Sequence, residues 1–133
     1  MSRYSGLMDS ATRHAGIACT VYYNHDHRMV RGIIQHDVRS TYVSRYNAAQ
    51  KKVVDQLGVR ADDCAVVFIS YRKWLDQALS DQPSKVTIKA ESVVYRVLAS
   101  MVVKVRSEGL CHWCVIKPIG RAKPTTYYDL IAS

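Results

Sequence analysis

The sequence predicts an α+β fold: three helices, a C-terminal β-hairpin and an N-terminal extension with one short strand. Three observations lead there. The chain has 133 residues, about one domain's length and enough to bury a core without metal or disulfide staples. A long apolar stripe at helical spacing runs through its last third. Two strand-like runs then flank a basic, turn-rich loop.

Residues 1–16 are polar at the start and carry no apolar run of signal-peptide type. Residues 17–23 (Ile-Ala-Cys-Thr-Val-Tyr-Tyr) have strand composition, and Asn24-His25-Asp26-His27 reads as a turn. Tyr42, Tyr46, Ala49, Val53, Val54 and Leu57 recur at helical spacing, with Gly58 where a helix stop belongs, so a helix is expected near 44–57. Ala65–Ile69 is a short apolar run, open to a buried strand or a helix start. Tyr71, Trp74, Leu75, Ala78 and Leu79 predict a second helix near 70–80, broken by Asp81-Gln82-Pro83-Ser84. Ala90, Val94, Val97, Leu98, Met101 and Val105 form the long stripe and predict a third helix over 88–108, ended by Gly109 as a C′ glycine. Six valines weaken that helix on propensity, and the periodicity is taken to outweigh them. Leu110–Lys117 and Thr125–Ile131 read as strands around Pro118–Pro124. The chain is taken as one core domain, 44–133, with 1–43 as an extension or partner-binding segment.

Charge narrows the function. There are 19 Lys and Arg against 11 Asp and Glu, a net charge of +8. Residues 85–133 hold eight basic and three acidic side chains and so carry most of the excess. Such a surface attracts polyanions, nucleic acid first. No run approaches the ~20 apolar residues of a membrane helix, so no membrane association and a cytoplasmic location are expected. Tyrosine outnumbers the other aromatics, nine against two Trp and one Phe, as at surfaces where one end of the ring meets water.

Two stretches carry a family resemblance. Ser92-Val-Val-Tyr-Arg-Val-Leu98, running on to Ser107-Glu-Gly-Leu110, resembles the recognition helix and exit of winged helix–turn–helix DNA-binding proteins. Gly120-Arg-Ala-Lys-Pro-Thr-Thr-Tyr-Tyr-Asp-Leu130 is similar to their wing. The resemblance implies a small, non-enzymatic transcriptional regulator that reads duplex DNA with helix 88–108 and a wing at 117–124, as a homodimer. Lys89, Ser92 and Arg96 would approach base edges, and Lys85, Lys117, Arg121 and Lys123 would hold phosphates. The connector Ser80–Thr87 is longer than the usual helix–turn–helix turn. The competing expectations are an adaptor docking its basic face on an acidic protein of the transcription machinery, and an RNA-binding module.

Other clusters point less far. Cys111-His-Trp-Cys114 is half of a tetrahedral zinc site, with His25, His27 or Cys64 as conceivable partners, but no second pair follows it. Buried free thiols are expected instead, with no metal and no cofactor. Asn24–His27 with His36-Asp37 is the most enzyme-like group, read as a polar turn because no nucleophile has a recognisable spacing to it. No Gly-rich phosphate loop exists, which removes P-loop nucleotide hydrolysis.

Overall fold

The computed structural model describes residues 11–121 apart from Arg13, and their architecture is a closed barrel of six antiparallel strands. The strands are β1 (Ile17–Tyr23), β2 (Asp26–Gln35), β3 (Ala65–Ser70), β4 (Thr87–Ala90), β5 (Val93–Val105) and β6 (Glu108–Arg121). Around the barrel they run β1-β2-β3-β6-β5-β4, and β4 closes it by pairing with β1. Among the described residues, the longer helices beside them are α1 (Asn47–Gln56) and α2 (Lys73–Asp81).

This overturns the winged-helix reading. The expected third helix, 88–108, is a β-hairpin, β4 to β5, turning at Glu91-Ser92. Both turn residues have positive φ, 50° and 67°, as a two-residue type I′ turn requires. Valine's β preference prevails over the apparent helical spacing, and that spacing itself has a structural origin. Val97 pairs with Ile116 but Ala99 pairs with Val115, so Leu98 is an extra residue, a β-bulge. Before the bulge the odd positions Tyr95 and Val97 face the barrel interior. After it the odd positions Met101 and Val103 belong to the outer apolar layer. One inserted residue thus breaks the period-two pattern, and the apolar positions fall at a mixture of spacings that imitates a helix. The wing is corrected too, as β6 continues through Pro118–Arg121, with Ile119 as an extra residue in the ladder, where a loop was expected. Its second strand and Lys123 lie outside the described residues. Gly109 caps no helix: it sits in β6, where a Cβ would come within 2.6 Å of the Tyr71 ring.

Two apolar clusters hold the molecule together. The first fills the barrel with Cys19, Val21, Val67, Ile69, Ile88, Val97, Cys114 and Ile116. Leu75, Ala78 and Leu79 of α2 join it, so α2 lies across the mouth where β3 ends and β4 begins. The second lies outside the barrel wall. There the crossover from β2 to β3, which includes α1, covers the outer side of β3, β6 and the later half of β5. Trp113 is its centre, fully buried, with its indole N–H donating to Thr41 Oγ1 at 2.9 Å. Burying such a side chain contributes on the order of 2–3 kcal/mol. Gly58, at φ 65°, ends α1 as the sequence suggests. No helix among the described residues is long and apolar enough to cross a membrane.

Candidate functional site

The crossover covers only part of the barrel wall. Its other part, the outer side of β2, β1, β4, β5 and the end of β6, has no layer above it among the described residues. Strand register arranges the side chains there in rows. Lys117 pairs with Arg96, Arg96 with Thr87, Thr87 with Tyr22 and Tyr22 with His27. A second row alongside runs Gly120, Val94, Lys89, Thr20, Met29. One step further along β1, Ala18 pairs with Arg31.

None of these residues is buried, whereas the intervening Cys19, Val21, Ile88, Ala90, Tyr95 and Val97 all are. Alternation along each strand therefore sorts apolar side chains inward and cationic or hydroxyl-bearing ones outward. No acidic residue occupies either row. Five strands at roughly 4.8 Å spacing make an arc of about 19 Å. Arg96 and Lys117 are neighbours on it, which concentrates positive potential, with no acidic residue in either row to offset it. The Tyr22 and His27 rings lie 5.9 Å apart at its far end, tilted by 34°. Met29, 72% exposed, and the half-buried Val94 are its apolar elements.

The expected phosphate and base contacts fall unevenly on this face. Lys89, Arg96 and Lys117 come together on it, brought by β-register rather than by a helix. Ser92 sits in the β4–β5 turn, Lys85 in a short 3-10 segment before β4, and Arg121 opposite Val93, off the rows. Thr20, Tyr22, Met29 and Arg31 are missing from the site the sequence predicts, and His27 enters that reading only as a zinc partner or a residue of the polar turn. The alternation Cys19-Thr20-Val21-Tyr22, polar against buried, is the signal that could have found the first two.

The other clusters separate rather than converge. Cys114 faces the barrel interior and Cys111 the outer layer, so the pair cannot chelate one ion from this strand. All four thiols are buried. Burial pushes the Cys111 thiol up to about 11 and that of Cys114 to about 12, which keeps both protonated near neutral pH. Among the described residues no three His, Cys, Asp or Glu side chains gather as a metal site would need. Asn24 and His25 form the β1–β2 turn at φ 46° and 62°.

No family model, curated protein or solved structure matches this chain. Its functional reading therefore rests on the face itself.

Proposed function

We propose that this protein binds nucleic acid, holding the sugar–phosphate backbone against the exposed face of β2, β1, β4, β5 and β6. The observation that carries the reading is the acid-free row Lys117–Arg96–Thr87–Tyr22–His27, reinforced by Lys89 and Arg31. Cations and hydroxyls are the groups that contact phosphate and sugar, and Tyr and His rings are surfaces on which unpaired bases stack. Among the described residues no helix lies on this face to enter a major groove, so binding is through the backbone and tolerant of sequence.

Salt titrations on a random duplex and a random single strand test it. Binding weakens steeply with salt, and Arg96→Ala with Lys117→Ala shallows the slope by about two counterions on either ligand. Arg96→Ala costs the same on every sequence, since no base is read. Absence of binding to both ligands at low salt would overturn the proposal. Equal affinity for polyglutamate would overturn it in favour of an acidic-protein adaptor.

A further inference from the structure

A second feature adjoins the face, shares Met29 and Arg31 with it, and goes beyond the nucleic-acid reading. The β2–β3 ladder ends at Gly32 and Ile69. One step further, the same register would set Arg31 opposite Ser70. Instead β3 parts from β2 while Ser70 stays paired with Cys111 of β6, and a cleft of about 460 Å³ opens in the fork between β2 and β3. That volume is in the range of small-molecule sites.

Its lining is specific in character. Val30, Ile69 and the exposed Met29 supply an apolar wall. Arg31 and Arg72 supply guanidinium groups, and among the described residues no acidic side chain lines the cleft. Arg31 is held in place, its Nε and Nη2 donating to the carbonyls of Thr12 and Gly16. A guanidinium has five N–H donors, so Arg31 retains others for a ligand. Arg72 is also the N-cap of α2 and provides no side-chain cap, so the positive end of the helix dipole lies at the same place. The decisive group is Ser70. It is 2% exposed, lines the cleft, and its hydroxyl has no hydrogen-bond partner among the described residues. A buried hydroxyl left unpaired is costly, and such a group beside two cations marks a place where an acceptor belongs.

We infer that this fork binds a small oxyanion, a phosphate or carboxylate group on a ligand with a short apolar stem. The Ser70 hydroxyl donates to one anionic oxygen, Arg31 and Arg72 pair with the charge, and Met29 and Val30 cover the stem.

Amide NMR titration of the full chain with inorganic phosphate, and separately with acetate, tests the inference. Shifts concentrate on Arg31, Ser70, Arg72 and the first turn of α2. Ser70→Ala removes a hydroxyl that makes no hydrogen bond among the described residues, so the variant folds. It weakens the anion by about tenfold, the order of one hydrogen bond to a charged group. Arg96→Ala with Lys117→Ala leaves this titration unchanged, whatever those substitutions do to nucleic-acid binding. Tighter phosphate assigns a phosphate-bearing ligand, and tighter acetate a carboxylate-bearing one. Shifts spread evenly over Lys89, Arg96 and Lys117, no shifts with either anion, or a Ser70→Ala variant that titrates like the parent would each overturn it.

Discussion

The backbone N–H of Arg72 donates to Nε2 of His112 at 2.9 Å, which places the remaining imidazole proton on Nδ1. His112 is 1% exposed and its Nδ1 has no partner among the described residues. The first residue of the α2 junction is thereby tied to the middle of β6, on condition that the ring is neutral. Burial is the main reason it stays so, bringing its pKa down from 6.5 to about 4, against a smaller opposing pull from Asp76.

Stability should therefore fall in mild acid. The unfolded chain takes up the His112 proton near pH 6.5, while the folded chain resists it until about pH 4. The contribution is complete above pH 6.5 and is lost progressively as pH falls to about 4, amounting to at most about 3 kcal/mol. Urea unfolding across this window measures it. His112→Gln, which keeps an acceptor for the Arg72 N–H but cannot titrate there, flattens the dependence.

Gly109→Ala tests the packing on the other side of Tyr71. The added methyl would lie 2.6 Å from Cδ2 of a ring that also stacks on His112 at 5.2 Å. The ring has to move, and the expected loss is about 1–3 kcal/mol. A chemical-denaturation midpoint unchanged from the parent would show that Tyr71 has room to give.

The three tight hairpins turn on non-glycine residues at positive φ: Asn24-His25, Glu91-Ser92 and Arg106-Ser107. L-residues there carry a conformational penalty that Asn-Gly does not. Replacing Glu91-Ser92 by Asn-Gly should raise stability by about 1 kcal/mol, visible as a higher melting temperature.

Thr41→Val tests the anchor of the outer layer. The substitution keeps the shape but removes the acceptor of the Trp113 indole N–H, whose side chain is fully buried. An orphaned buried donor costs about 1–3 kcal/mol. Trp113→Phe in the same background should then cost less than it does alone, because the orphan disappears with the indole.

Legibility in the sequence followed the regularity of each element. Ile17–Tyr23 could be read as a strand from composition, and α1 with its Gly58 stop from a helical spacing that nothing interrupts. The β4–β5 hairpin could not. Leu98 shifts the parity of β5 in mid-strand, and Glu91-Ser92 lacks the Asn or Gly that usually announces a turn. The face was half legible. Arg96 and Lys117 stand out as charges in any reading, but that they are neighbours is a fact of register, and Met29 and His27 join them only through the β1–β2 pairing. The fork at Ser70 left no sequence trace, since it depends on where one ladder stops.

Closure of the barrel has a kinetic consequence. The β1–β2, β4–β5 and β5–β6 hairpins pair residues near one another along the chain, whereas β1–β4 and β3–β6 join distant segments, β1–β4 through only four residue pairs. Distant pairings lose loop entropy before contacts repay it, so a topology of this kind reaches the native state slowly, on a scale of roughly milliseconds to seconds. Until the short β1–β4 seam zips, two strand edges stand open to pairing with other chains. The net charge of +8 then opposes encounters between copies. Refolding yield should accordingly fall as added salt screens that repulsion.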